Sequence, residues 1–297
     1  MSSFFKKIHQ YLIDIGIYRF QSDEKFIKKQ YYKVFRKKLN LDNPKTYNEK
    51  LQWLKLNDRK DIYTTMVDKY AVKEYVANII GEEYIIPTIG VWDRFDDIDF
   101  GKLPNQFVLK CTHDSGGIVI CKDKSKFNYK KAKFKFNLIM KRNFYYRSRE
   151  WPYKNIKPRI IAEPYMVDGK YNELRDYKFF VFSGKMELMF IASNRQGDGD
   201  TYFDFFDKKF EHLKIINGHP MNPRTPDKPI NYELMIKLAE KLSNNLPQVR
   251  VDFYEINGKV YFGEITFFHW SGLVPFEPNE WDLKLGNLIK IKKDDMK

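Results

Sequence analysis

The chain has 297 residues, 43% hydrophobic and 17% aromatic, with a formal net charge of +14. That length supports one large domain or two to three small lobes around a cleft. Two cysteines, Cys111 and Cys121, exclude a disulfide framework and suit a reducing compartment. No apolar run nears the roughly 20 residues of a spanning helix, and Lys6, Lys7, His9 and Asp14 interrupt the apolar residues of the N-terminus, so a cytoplasmic protein is expected.

The first 62 residues read mostly as helices. Phe4, Ile8, Tyr11, Leu12 and Ile15 recur at helical spacing. Thr46 and Glu49 make a capping box ahead of Leu51 and Leu54. A further helix runs through Val72, Val76 and Ile79 to a stop at Gly81. The amphipathic start, with Lys6 and Lys7, can touch the inner face of a membrane. A helix docked on its own domain is the plainer account.

Strand and turn alternate from about residue 105. Residues 107–111 (FVLKC) and 118–121 (IVIC) are β-rich runs around a turn. No GxxxxGK[ST] leads into a helix, so this is not a Walker loop. Amides near Ser115, Gly116 and Gly117 can still point at phosphate oxygens, with Lys110 adding a cation just before the loop. Alone, a Gly-Gly hairpin is only a turn. Residues 122–159 then carry 14 Lys or Arg against two acids, Asp123 and Glu150, interleaved with aromatic residues. Such a segment suits either an anionic partner with stackable rings or a solvated helix face.

Asp176 and Lys178 share one face of DYKFFVF by period two, and a cross-strand ion pair is the bland reading. The last signal is a hairpin, VRVDFYE and KVYFGEIT around Asn257-Gly258. A two-residue loop would set Asp252 opposite Gly263 and put Asp252 and Glu264 on opposite faces. A three-residue loop, Ile256-Asn257-Gly258 with Gly258 left-handed, sets Arg250 opposite Glu264 and gathers Arg250, Asp252, Glu264 and Thr266 on one face. The three-residue loop is expected. Two carboxylates on one face call for a cation, either Mg²⁺ or Arg250 itself. If they hold Mg²⁺, Asp252→Asn or Glu264→Gln should abolish turnover at little cost in stability, because it removes one of two charges that repel in the metal-free state.

Five fragments recur in one order: FVLKCTHDSGG (107–117), IIAEPYM (160–166), ELRDYKFFVFSGK (173–185), VRVDF (249–253) and YFGEITFFHWSG (261–272). Together they resemble ATP-grasp enzymes, and more narrowly the TupA-like ATP-grasp ligases of bacterial surface-polysaccharide loci, over about residues 45–290. The resemblance implies an α+β ATP-grasp fold with nucleotide between two lobes. A helical region would occupy 1–90, a small lobe 91–163 and a C-terminal lobe 164–297. It implies ATP and Mg²⁺ as cofactors. Lys110 and Lys178 would hold phosphates under a loop of Ser115, Gly116 and Gly117. Glu163 and the main chain at Tyr165 and Met166 would meet adenine, and Asp176 the ribose or the metal shell. Asp252 and Glu264 would bind the metal, with Thr266 at the position of the family's usual Asn. Arg250 would stabilise an oxyanion, and His269 and Ser271 lie where a substrate loop belongs. The implied reaction joins a carboxylate, as acyl phosphate, to an amine. The acceptor would be an anionic sugar or polysaccharide. A sugar kinase and a non-catalytic glycan or polyanion binder are the alternatives, and nucleic acid is not an expected partner.

Overall fold

The helix punctuation of the sequence is obeyed. The computed structural model describes residues 3–171, 173–195 and 199–291, with side chains throughout except those of Ser3, Phe4 and Lys6. In chain order its helices are α1 (Ser3–Asp14), α2 (Asp23–Phe35), α3 (Tyr47–Asn57), α4 (Ile62–Val67), α5 (Ala71–Ile80), α6 (Tyr129–Ile139), α7 (Tyr145–Ser148), α8 (Tyr232–Leu242) and α9 (Glu280–Leu288). At α3 the Thr46 hydroxyl accepts from Glu49 N, and the Glu49 carboxylate accepts from Thr46 N at 3.1 Å. This reciprocal cap satisfies two otherwise orphaned donors. After α5 the chain turns at Gly81, whose φ of 119° favours glycine.

Two compact units divide the chain. The first comprises residues 1–26, 59–75 and 86–165, and the second residues 27–58, 76–85 and 166–297. The helical stretch expected at 1–90 therefore forms no unit of its own; its segments belong to both.

The first unit carries an antiparallel sheet of β1 (Gly90–Trp92), β2 (Phe107–Cys111), β3 (Ile118–Cys121) and β4 (Ile160–Pro164), in the order β1-β4-β2-β3. One face of β2 and β4 sends Phe107, Leu109, Cys111, Ile160 and Ala162 into a core with Phe95, Phe136 and Ile139. Here the basic-aromatic segment divides, with Phe134 and Tyr129 exposed by 68 and 41% and other rings turned inward. Phe136 is fully buried and Phe127 packs against the same core, so these rings build the interior rather than a stacking surface. Several of the cations are paired internally: Lys133 with Asp96, Arg147 with Asp14, Lys157 with Asp93 and Arg159 with Asp68.

The second unit carries a six-stranded antiparallel sheet of β5 (Asp176–Phe182), β6 (Lys185–Ser193), β7 (Tyr202–Asp207), β8 (His212–Leu213), β9 (Gln248–Ile256) and β10 (Lys259–Thr266), in the order β10-β9-β5-β6-β7-β8. Every residue of β5 is buried, so both its faces are covered. Alternation sorts them: Tyr177, Phe179 and Val181 share the face on which Phe179 meets Tyr232 of α8, whereas Asp176, Lys178 and Phe180 point the other way. Asp176 and Lys178 thus bring charge to that second face.

Candidate functional site

In the first unit the charges gather on strands β2 and β4. Val108 pairs with Glu163 and Lys110 with Ile161, so Lys110 and Glu163 share the face opposite the core. Glu163 is 5% exposed and each of its oxygens holds an ammonium: Lys110 at 2.5 Å and Lys73, from α5, at 2.5 Å. Burial pushes the Glu163 carboxyl up, but Lys110 and Lys73 outweigh it and hold the group below its ordinary range. Burial draws Lys73 down, against the pull of Glu163. One carboxylate between two ammonium groups leaves a surplus positive charge. Glu163, expected to meet adenine, here holds two lysines side by side.

The loop between β2 and β3 closes through Gly117 O, which accepts from Cys111 N at 2.8 Å. A Cβ at Gly117 would lie 2.9 Å from that of Cys111, so only glycine fits. Gly116 has φ 96° and open space around it. Ser115 N donates to Asp114 Oδ1 at 2.8 Å, and Lys69 Nζ donates to Asp114 O at 2.9 Å. Tyr165 lies under Lys122, whose Nζ sits 5.7 Å from the ring centre. Met166 opens the last segment of the second unit.

In the second unit the β9–β10 hairpin corrects the expected register. Lys259 pairs with Ile256, leaving a two-residue loop of Asn257 (φ 51°) and Gly258 (φ 77°). Positive φ at both positions matches the right-handed twist of the strands. The pairing then slips at Gly263: Phe262 faces Phe253, but Glu264 faces Asp252 and Thr266 faces Arg250. One extra residue in β10 changes the face of everything beyond it. Arg250, Asp252, Glu264 and Thr266 therefore share a face, by a bulge rather than by a longer loop.

These groups form one network. Arg250 donates through Nε to Asp252 Oδ1 at 2.7 Å, and through Nη2 to Asp252 Oδ2 at 2.8 Å, Glu264 Oε1 at 3.0 Å and Thr266 Oγ1 at 3.0 Å. Lys178, opposite Asp252 on β5, donates to Asp252 Oδ2 and, at 3.2 Å, to Asp176 Oδ1. Asp176 also holds Arg195. Three carboxylates thus meet three cations. Burial lowers Lys178, with Asp252 opposing; burial likewise works against Arg250, but Asp252 and Glu264 raise it above its usual value.

His269 is 3% exposed and both ring nitrogens are engaged. Nδ1 lies 2.8 Å from Arg250 Nη1, and Nε2 lies 2.8 Å from Asn217 Oδ1. The guanidinium can only donate, which assigns the acceptor role to Nδ1 and the proton to Nε2. Burial, then the Arg250 and Lys178 charges, push its pKa well below 6.5. His269, expected to be catalytic from its place in the substrate loop, here braces Arg250 from one side and Asn217 from the other. Beyond it, Trp270 (φ 48°) and Ser271 (φ 57°) are both left-handed. Gln52 Nε2 and Lys55 Nζ donate to Ser271 O at 2.9 and 2.8 Å, holding this turn. The indole, 40% exposed, stacks at 6.0 Å on Phe203.

A family model described as TupA-like ATPgrasp matches residues 49–290. The chain belongs to the TupA-like ATP-grasp family. Its fold is the α+β ATP-grasp fold. The L-amino acid ligase from Bacillus licheniformis is similar at 12% identity and a TM-score of 0.50, covering 94% of this chain and 63% of that one. The D-alanine–D-alanine ligase from Helicobacter pylori is similar at 15% identity and a TM-score of 0.45, covering 83% and 67%. That from Bacillus anthracis complexed with ATP shares 15% identity at a TM-score of 0.40, covering 68% and 54%. The chain spans about half to two thirds of the length of these solved relatives. No curated protein matches it.

For this TupA-like chain the metal expectation needs adjusting. Among the described residues no three metal-ligating side chains gather around one point. Asp252 is wholly buried and gives both oxygens to Arg250 and Lys178, and Thr266 accepts from Arg250. Glu264, its side chain 41% exposed, is the carboxylate of the pair that reaches solvent. Such a set fits a Mg²⁺ bound mainly by phosphate and water, with one carboxylate from the protein. Asp252 as a second ligand requires Lys178 to turn elsewhere. The geometry also reverses the sign expected of Asp252→Asn: removing that charge leaves buried Arg250 and Lys178 with only Glu264 and Asp176. Sequence reading missed Lys73 and Asn217. Lys73 sits on a helix among other charged residues, and only its spatial match to Glu163 marks it.

Proposed function

We propose that this protein is an ATP-dependent carboxylate–amine ligase acting on a sugar acid or amino-acid carboxylate of a surface polysaccharide. Membership of the TupA-like family supports ATP-grasp chemistry. The assembly of Arg250, Asp252, Glu264, Thr266 and Lys178 on one sheet face carries the reading, because a purely structural sheet has no need of so many opposed charges on one face. In this scheme the surplus charge of Lys73 and Lys110 receives nucleotide phosphate. Lys178, its affinity for protons lowered by burial, exchanges Asp252 for a phosphate oxygen. Mg²⁺ at Glu264 would neutralise phosphate oxygens. A carboxylate oxygen attacks the γ-phosphorus and ADP leaves. An amine then attacks the acyl carbon, the oxyanion is met by the guanidinium of Arg250, and phosphate departs. His269 and Asn217 keep that guanidinium from rotating.

The test is a screen of uronic acids against amines with ATP and Mg²⁺, reading ADP release and product mass. ADP release that needs both substrates, with an amide product, supports the reading. A phosphate ester formed without amine makes the protein a kinase. Glycan binding with no ADP release under any pairing makes it a binding protein.

A further inference from the structure

Helix α1 docks on its own unit by one side only. Its inward residue is Asp14, 2% exposed, which accepts from Arg147 Nε and Nη2 at 3.1 and 2.6 Å. Asp14 O accepts from Asn143 N at 2.9 Å. On the outward side lie Phe5, Ile8, Leu12 and Ile15, exposed by 60, 41, 38 and 41%. At about 100° per residue these four fall within an arc of roughly 80°. Ile17 and Phe20 continue the surface at 54 and 88%. Six of the 18 exposed large hydrophobic residues described thus occupy residues 5–20. A stripe of this spacing is what a helix normally buries, and one this concentrated marks an interaction site.

The charge around the stripe has one sign. Asp14 is the single acid of residues 3–22, and it is buried against Arg147. Lys7, Arg19 and Lys141 are exposed. Arg19 lies 4.8 Å over the Phe20 ring, and Arg142 lies 5.3 Å over Tyr11 of α1. A second copy of this chain meeting the same surface about a twofold axis would bring these cations together. An anionic surface would neutralise them. No described helix is long and apolar enough to cross a membrane, so the geometry is that of a helix lying flat, rings down and cations at headgroup level.

We propose that α1 and the turn through Phe20 form a docking surface for an anionic lipid membrane. Apolar residues supply depth, and Lys7, Arg19 and Lys141 supply charge preference. None of its residues is among the groups assigned to ATP chemistry. Co-sedimentation of the full chain with phosphatidylcholine vesicles, with and without phosphatidylglycerol, tests it. Binding to the anionic vesicles should exceed binding to the neutral ones, and weaken with salt. Leu12→Glu with Phe20→Glu should lower the bound fraction about tenfold, with the thermal midpoint and any ATP-induced shift unchanged. Phe20→Ser alone, at a fully exposed ring, should show a smaller loss in the same direction. No binding to anionic vesicles at low salt overturns the proposal, as does unchanged binding in the Leu12/Phe20 variant. A dimer dispersed by these substitutions, with no vesicle binding, overturns it in favour of a second copy.

Discussion

The two charged clusters of this protein solve different problems. In the first unit one carboxylate, Glu163, holds two ammonium groups, Lys73 and Lys110, and a positive charge is left over. In the second unit Asp176, Asp252 and Glu264 meet Lys178, Arg195 and Arg250, and the charges balance. The first cluster can take up an anion by simple addition. The second can do so only by exchange, because its positive and negative charges already balance. Geometry reflects this: Lys110 keeps 21% of its side chain exposed, Lys178 7%.

Removing a charge is where the two clusters should part most sharply. Asp252→Asn leaves Arg250 and Lys178 buried with too little negative charge, and should cost about 3–5 kcal/mol in urea unfolding. Glu264→Gln, at a half-exposed carboxylate, should cost under about 1 kcal/mol. Equal small losses at both positions would break the idea of a balanced, exchange-only cluster.

Next comes the addition site. ATP with Mg²⁺ should stabilise the folded protein by about 2.7 kcal/mol at a hundredfold excess over Kd. Lys110→Ala should remove most of that while leaving the protein folded, since Lys73 still covers Glu163. Differential scanning fluorimetry reads both numbers. A full ATP response in the variant would take Lys110 out of the phosphate site.

A pH titration sharpens the contrast inside the second unit. The unfolded His269 imidazole takes a proton near pH 6.5, and the folded one only well below that. Between those values the unfolded chain binds more protons, so this contribution to stability is complete above about pH 6.5 and declines as pH falls. One such group gives a slope of up to about 1.4 kcal/mol per pH unit. His269→Asn, which keeps an acceptor for Arg250, should flatten the slope between pH 6.5 and 5; an unchanged slope would assign it to other groups. A small effect is also expected at the turn: Gly258→Ala, at φ 77° with open space around it, should cost about 1 kcal/mol of conformational strain, measured by thermal midpoint.

Much of this was legible in the sequence because charged residues inside apolar strand runs are conspicuous. Lys110 in FVLKC, Lys178 in DYKFFVF and Asp252 in VRVDF stand out that way, and the spacing of the fragments pointed to the ATP-grasp fold. Partners across the chain were not legible. Nothing local in α5 tells Lys73 from its exposed neighbours, and Asn217 lies in irregular chain 52 residues before His269. The hairpin is the instructive case. Face-sharing of Asp252 and Glu264 was expected from a long loop, yet the loop is short and Gly263 makes the shift. An isolated glycine inside a strand is itself a bulge signal, and it stood in YFGEI unused.

Gly263 acts on β10 as a frameshift acts on a reading frame. Pleating is a two-letter code, and the strand is read in one frame from Lys259 to Phe262 and in the other from Glu264 to Thr266. Were residue 263 drawn into the ladder opposite Asp252, Glu264 and Thr266 would turn toward the apolar layer, with Ile265 delivered to the charges. Every later position would be misread together, although no functional side chain had been altered. The chemistry of this sheet is thus written partly in a residue with no side chain, and it depends on that residue staying out of the ladder.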